Sequence, residues 1–589
     1  MTSNTSDLTI KSEGTRKPGL ATRLTIAEAL FALVALAAGV LRLANLGRIP
    51  LSPAEAEAAL AVWRFWQPGQ MILAPASPAY FTLTAVLTQI LGFSDAVMRL
   101  VPALFGVALT LLPWLLRQRL GIVGALVTAV FFAISPMTVI VARTAGGEAI
   151  ALFAIFLLLA AWVRRQDSGD GRWPVTMAIA LGLGLASAPL FYSGLAALAL
   201  AWFLQTTVGP RLQLQIDEGA EDTGNETAVW PRAALVGLLV LLSLSSTFLL
   251  NISGIGGAAA LLADWLRQFG RSALAAGTTP LLAVGRYETA LMIVGPAAVI
   301  WAGWRRPALG RLALYWLVGI TAVLLLQLGV IVNAALVPLA GYLLLGSFTG
   351  SVVGSRIHPR GWALTGGLLL VWGLMFVNLS RFLRTSAFDA TDLSHIWIAI
   401  FGLTLALTTI YFLVTWDHRS TYQGILFSVL AMLIFYNWGT AWWLGQEAAN
   451  DPRETWVTTG AADEVRLLVD QIRDLSWQVA GSETDVDIFS AINSPVLGWY
   501  LRDFPNFQMA DAVPPAATFS LILTPDLAEP AFGSDYMGAD YGLLNVSPVS
   551  EGPNVSTVLD TLRWWVFQES TAVSPQQRVV LWLRADLAQ

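Results

Sequence analysis

Two carboxylates two residues apart, in Leu51-Ser-Pro-Ala-Glu-Ala-Glu-Ala-Ala-Leu60, are the first candidates for chemistry in this chain. A carboxylate beside apolar helices can have its pKa tuned for general-base work. Ser52, Pro53 and Glu55 also fit the N-cap, N1 and N3 positions of a helix, so capping alone accounts for Glu55. Glu57 lies two positions on, so the two acids do not share a helical face and only one can point into a given pocket. A second candidate is Pro136 to Glu148, where Arg143, Gly146 and Gly147 precede an acid at a helix start. The glycines permit close backbone approach, and compensation of the helix dipole is the non-catalytic explanation of Glu148. A third group is Arg267, Arg271, Arg286, Tyr287 and Glu288. Arginine forks suit phosphate, although snorkelling of long cationic side chains at a membrane interface explains any single one of them. His358, His395 and His418 fall in different loops or span ends without metal-ligand spacing. Cysteine is absent, which removes disulfides, Cys-type zinc sites and a thiol nucleophile.

The elements that must position these residues are membrane helices. Of 589 residues, 56% are hydrophobic and 12% charged, where a soluble chain carries about 25% charge. That excludes disordered, collagen-like and nucleic-acid-binding classes. Crossing a hydrocarbon core about 30 Å thick takes about 20 mainly apolar residues. Thirteen runs qualify, near residues 26–46, 100–116, 121–140, 149–163, 174–191, 194–209, 233–251, 281–303, 312–331, 334–354, 362–379, 395–415 and 423–444. Lys11, Arg16, Lys17 and Arg23 place the N-terminus in the cytoplasm, and Arg117, Arg119, Arg164, Arg165, Arg211, Arg232, Arg305, Arg306, Arg356, Arg360 and Arg419 mark alternate loops as cytoplasmic. Thirteen crossings then put the C-terminus outside. The run from Ser77 to Gly92 spoils this parity as a crossing and reads as a juxtamembrane or re-entrant helix.

Charge divides the chain in the same place as hydropathy. Residues 1–446 carry a net +8 and residues 447–589 a net −13, which marks the tail as a separate, acidic, water-facing domain. Three parts follow: a cytoplasmic tail over 1–24, a transmembrane domain over 25–446 and an extracytoplasmic domain over 447–589. In the tail, Val486 to Ala491, Phe519 to Leu523, Tyr541 to Val546 and Val579 to Leu583 read as strands, and 461–475, 494–504 and 557–569 as helices. Alternation of the two predicts a small α/β sandwich.

The order of these features resembles the glycosyltransferase C superfamily, in particular its polyprenyl-phosphate-sugar branch of protein O-mannosyltransferases and lipid A aminoarabinose transferases. The resemblance is best over roughly residues 25–165. Pro53-Ala-Glu-Ala-Glu-Ala-Ala-Leu occupies the place of the family's acidic motif in the first external loop, with Ala54 where its Asp would be. Gly92 to Gly106, with Arg99 and Pro102, is similar to the family's approach to its second span, and Arg143 and Glu148 match its second external loop. Asp451-Pro-Arg-Glu454, Asp463-Glu-Val and Gly498-Trp-Tyr-Leu-Arg-Asp503 look like a prokaryotic, flippase-activity-associated subgroup, with Trp499, Tyr500 and Arg502 as glycan contacts or as packing residues.

The resemblance implies an α-helical polytopic membrane protein of about thirteen spans with a C-terminal α/β domain, in the plasma membrane of a prokaryote. It implies transfer of a sugar from a polyprenyl-phosphate donor to a glycan, lipid or protein acceptor on the external face. Glu55 is then the expected base with Glu57 as substitute, and Glu148 assists. Arg143 and Arg99, with Arg267, Arg271, Arg286 and Glu288 behind them, are the expected phosphate or substrate contacts. No cofactor or metal is required, and nucleic acid is not a partner. The alternative class is a non-catalytic or flippase-associated protein that handles lipid-linked glycans.

Overall fold

The structure is a computed structural model, and it describes residues 25–69, 74–208, 226–270, 279–305, 307–327, 329–354, 359–384, 394–415, 418–514, 518–526, 532, 534–546, 558–569 and 575–587. The chain runs through α1 (Ile26–Leu43), α2 (Pro53–Phe65), α3 (Pro78–Leu91), α4 (Asp95–Leu111), α5 (Arg117–Ile134), α6 (Pro136–Ala142) and α7 (Glu148–Ser168). Next come α8 (Arg172–Leu185), α9 (Pro189–Thr207), α10 (Glu226–Ser245), α11 (Gly254–Arg267), α12 (Thr279–Tyr287) and α13 (Thr289–Arg305). The helical part closes with α14 (Ala308–Leu326), α15 (Val337–Val353), α16 (Pro359–Arg384), α17 (Ser394–Thr415) and α18 (His418–Gln446).

Each of the thirteen expected runs falls on helix, yet the lengths differ from the expectation. Among the described residues eight helical stretches are long and apolar enough to cross a membrane, or nine if α12 and α13, bent by 96°, form one broken span. One of the eight, Asp95–Ile134, runs through one expected span, 100–116, and most of the next, 121–140. It is interrupted at Gly121, whose φ of 72° and ψ of 164° leave the helical region, a conformation glycine adopts without steric cost. Helices α3 and α8 are apolar but shorter. The expected re-entrant run is α3, a 14-residue helix opened by Pro78 and closed by Gly92.

The helices pack through small residues, which is how helices associate where no hydrophobic drive separates lipid from protein. Where α5 meets α15, a Cβ on Gly346 would collide with Thr128 Oγ1 and with the Gly124 carbonyl, and one on Gly124 would strike the Gly346 carbonyl. Between and around them lie fully buried Phe131, Phe132, Phe156, Trp316 and Tyr342.

After α18 the chain forms a six-stranded sheet: β1 (Thr459–Ala461), β2 (Ile488–Ser490), β3 (Phe507–Met509), β4 (Leu521–Pro525), β5 (Tyr536–Val546) and β6 (Gln576–Arg584), in the order β1-β5-β6-β4-β2-β3. Strands β3, β2 and β4 are parallel, and β4-β6-β5-β1 antiparallel. Three helices accompany it: α19 (Glu464–Ala480), α20 (Pro495–Tyr500) and α21 (Val558–Phe567). The four expected strands are present. Strands β1 and β3, three residues each, are too short to show a period of two in sequence.

Candidate active site

The first loop after α1 is held by two buried arginines that come from other helices. Arg99, in the second turn of α4, donates from Nε to Glu55 Oε1 at 2.8 Å and from Nη2 to Glu55 Oε2 at 2.7 Å. Its remaining donors reach the carbonyls of Leu46, Ile49 and Pro50 at 2.7 to 3.1 Å. Glu55 also accepts from the backbone N–H groups of Ser52, at 3.0 Å, and Ala145, at 2.8 Å. Burial pushes the Glu55 carboxyl up, but the Arg99 guanidinium and the two N–H groups outweigh it and hold the acid below its ordinary range. Glu55 is therefore a helix-capping residue and an ion-pair partner at once, with four donors on its two oxygens.

Arg143, at the end of α6, closes the end of α1. Its Nη1 donates to the carbonyls of Leu41, Arg42 and Ala44 at 2.8 to 3.2 Å, which have no partner further along the helix. Its Nε meets the Gly445 carbonyl at 2.8 Å, and Nη2 makes one long contact, 3.4 Å, to the Asn45 carbonyl. The loop that follows folds tightly. A Cβ on Gly146 would collide with Glu148 Oε2, and one on Gly147 with the Ser187 carbonyl and Ser77 Oγ. Half-buried Glu148 thus lies folded over Gly146, and no side chain among the described residues donates to it. Glu57 is exposed.

Glu55, Arg99, Arg143 and Thr144 line a cavity of about 360 Å³ together with Ser52, Ala54, Asn450, Trp456, Thr458 and Thr459, a size within the range of small-ligand pockets. A neighbouring cavity of about 430 Å³ shares Ile49 and Asn450 with it and is lined by Arg48, Glu447, Asp451, Arg453, Asp463 and Arg466.

The remaining sequence-predicted residues are elsewhere. Arg267 is exposed and paired with Asp264 at 2.6 Å, and Arg271 lies outside the described residues. Arg286 pairs with Glu454 at 3.1 Å and stacks 4.3 Å from the Trp564 ring centre. Glu288, fully buried at the bend between α12 and α13, accepts from Ser135 Oγ at 2.6 Å and Tyr342 OH at 2.5 Å. Trp499 and Tyr500 dock the C-terminal unit: the indole N–H and the phenol O–H both reach Asp95, at 2.8 and 2.7 Å, and Arg502 lies 3.9 Å above the Trp499 ring. Among the described residues no group of three or more metal-ligating side chains is gathered. Sequence reasoning missed Asp95, which an acid in the first turn of an apolar helix could have signalled, and the cavity wall from Trp456 to Thr459.

A helical membrane protein with a cavity of mixed polar and apolar lining between its bundle and a C-terminal α/β unit is the class that fold and site define. Residues 75–215 match the family described as dolichyl-phosphate-mannose-protein mannosyltransferase. This segment contains Arg99, Arg143 and Glu148 and begins after Glu55 and Glu57. In fold the chain is similar to ArnT from Cupriavidus metallidurans bound to undecaprenyl phosphate, with TM-score 0.55 and 17% identity over 95% of this chain and 98% of that one. The apo state of the same protein gives TM-score 0.51 and 16% identity with the same coverage. The arabinosyltransferase EmbB from Mycobacterium smegmatis gives TM-score 0.40 and 12% identity over 74% of this chain and 43% of its own. Among curated proteins none matches this sequence. The chain thus shares its fold with ArnT along 95% of its length, and its residues 75–215 are similar to that mannosyltransferase family.

Proposed function

We propose that this chain takes a sugar from a polyprenyl-phosphate-linked donor and transfers it to an acceptor on the extracytoplasmic face of a prokaryotic plasma membrane, with its N-terminus in the cytoplasm. The observation that carries this reading is the cavity in which a carboxylate and two arginines meet at the end of the helical bundle, in a fold shared along 95% of the chain with a protein solved with undecaprenyl phosphate. In the reaction an acceptor hydroxyl oxygen forms a bond to the sugar's anomeric carbon. The bond from that carbon to the donor phosphate breaks, its electrons leave with the polyprenyl phosphate, and the hydroxyl proton passes to a carboxylate.

Glu55, the base expected from sequence, carries four donors and is held below the ordinary carboxylate range, which makes it a weak proton acceptor. Glu148 is not among the residues that line this cavity but folds over Gly146, in the loop that follows Arg143; no side chain among the described residues donates to it, so the reading assigns it the proton and gives Glu55 the task of orienting Arg99 and the first loop. Glu57, exposed and without a partner among the described residues, is the substitute. Arg143 Nη2, with one long contact, is the guanidinium end free to meet the departing phosphate. Arg99 supplies fixed positive charge, and the reading requires no metal. Sugar release from radiolabelled polyprenyl-phosphate hexoses by purified protein in lipid tests it. Glu148→Gln is expected to lose at least a hundredfold in turnover, while Glu57→Gln stays within threefold, since one positioned acid or base contributes about 10²–10⁴.

A second reading is favoured by one observation: the cavity wall presents the methyl group of Ala54, at the position where the resembling family carries an Asp. A protein that binds lipid-linked glycans without transferring them fits that wall. Donor binding with no turnover across a broad acceptor panel would select it.

A further inference from the structure

The segment that joins α18 to the sheet is built into the cavity. Two fixed points hold it. Glu454 accepts from Arg286 Nη2 at 3.1 Å, Tyr287 OH at 2.8 Å and Trp564 Nε1 at 3.1 Å, and strand β1 pairs with β5 from Thr459 onward. Between them the Trp456 N–H meets Tyr287 OH at 3.4 Å, and Trp456, Val457, Thr458 and Thr459 all line the cavity of Glu55 and Arg143.

Trp456 differs from Trp443, Trp499 and Trp564. Trp443 and Trp564 pack ring against ring, 6.2 Å between centres, and the indole N–H groups of Trp499 and Trp564 are bonded to carboxylates. Trp456 is half-buried against the core, and among the described residues its ring has no aromatic partner and its indole N–H no acceptor. The hydroxyls of Thr458 and Thr459 likewise have no partner among the described residues. The wall thus offers one aromatic face, one N–H and two hydroxyls. A pyranose is the complementary shape: its axial C–H groups form an apolar patch that stacks on an aromatic ring, while its rim of hydroxyls needs donors and acceptors.

We infer that Trp456, Thr458 and Thr459 form a sugar subsite, with the pyranose ring stacked on Trp456. This rests on the glycosyltransferase reading and adds its sugar-binding residues. The sugar is either that of the donor or that of a glycan acceptor, and the two sources share this chemistry.

The test is calorimetric binding to the full-length protein in lipid nanodiscs. Three kinds of probe are used: citronellyl phosphate, a panel of citronellyl-phosphate hexoses, and the free disaccharide mannobiose. Trp456→Leu keeps apolar packing but removes the ring, and Trp456→Phe keeps a ring. The expected result is about tenfold weaker binding of a sugar-bearing probe by Trp456→Leu, unchanged binding of citronellyl phosphate, and Trp456→Phe within about threefold of wild type. Loss confined to the hexose lipids assigns the subsite to the donor, and loss confined to mannobiose assigns it to the acceptor. Equal binding of every probe by wild type and Trp456→Leu overturns the subsite while leaving the transferase reading in place. A wild-type protein that binds none of the probes overturns both. Thr458→Val/Thr459→Val, which leaves the ring untouched, is expected to weaken the same probe, and no change in it removes the two threonines from the proposal.

Discussion

Arg99 grips Glu55 through two parallel hydrogen bonds, 2.8 Å from Nε to Oε1 and 2.7 Å from Nη2 to Oε2, with both side chains buried. The pair joins the second turn of α4 to the first turn of α2, and the same guanidinium collects three carbonyls of the loop between α1 and α2. The geometry of the first loop is therefore set by one planar cation.

Removing one partner of that pair leaves a buried charge uncompensated, which costs about 3–5 kcal/mol. Arg99→Met is expected to lose that much stability, and Arg99→Lys to lose most of it, since an ammonium cannot reproduce the fork. Thermal melts of the purified variants in nanodiscs check this. A melting temperature for Arg99→Lys equal to wild type would show that charge, not geometry, holds the loop.

Acid should loosen the same loop. Glu55 is held below its ordinary range in the folded protein, so its contribution to stability is complete above the unfolded-state pKa of about 4.3 and is lost as pH falls through the lower folded value. Wild type is expected to destabilise more steeply below about pH 4 than Glu55→Gln, which has no proton to take up. Parallel pH profiles for the two would remove Glu55 from acid sensitivity.

Asp95 should anchor the C-terminal unit. Its carboxylate accepts from Arg466 Nη2 at 2.7 Å, Trp499 Nε1 at 2.8 Å and Tyr500 OH at 2.7 Å. In Asp95→Ala these three donors lose their acceptor, at roughly 1–3 kcal/mol for each one left buried. Faster amide exchange in residues 495–503, with the helices α4 and α5 unchanged, is the expected signature. Exchange that rises equally everywhere would mean that the carboxylate supports the whole fold rather than the docking.

Gly346→Ala should separate α5 from α15, because the added methyl meets Thr128 Oγ1 and the Gly124 carbonyl. Overpacking of this kind costs about 1–3 kcal/mol. The yield of monodisperse protein in detergent is expected to fall, and Gly366→Ala, where nothing lies within 4 Å, serves as the control that should not change it.

Much of the architecture is legible in the sequence because it rests on one-dimensional signals. Apolar length placed the thirteen expected runs on helices, though it did not single out α11. Ser52, Pro53 and Glu55 marked the start of α2, where the helix does begin. The pairing of residues far apart in the chain has no such signal. Nothing near Arg143 reveals that its donors end on the carbonyls of α1, and nothing near Glu454 reveals Trp564, more than a hundred positions later. The bend of 96° at Glu288 was also hidden, since an apolar run reads alike whether straight or broken. Trp456 went unnoticed because a single tryptophan outside the helical and strand patterns has no periodicity to set it apart.

The docking of the tail has a consequence for the order of assembly. Its anchors are the carbonyls of Gly47 and Arg48, the carboxylate of Asp95, and Arg286 with Tyr287. All of these leave the ribosome before residue 447 is made. The acidic tail therefore emerges toward a receptor surface that is already synthesised, and its attachment in two places reports that the distant N-terminal and central helices have come together. The cavity closes only when that last segment, with Trp456, arrives, so a chain halted before it carries its membrane helices but lacks one wall of the cavity.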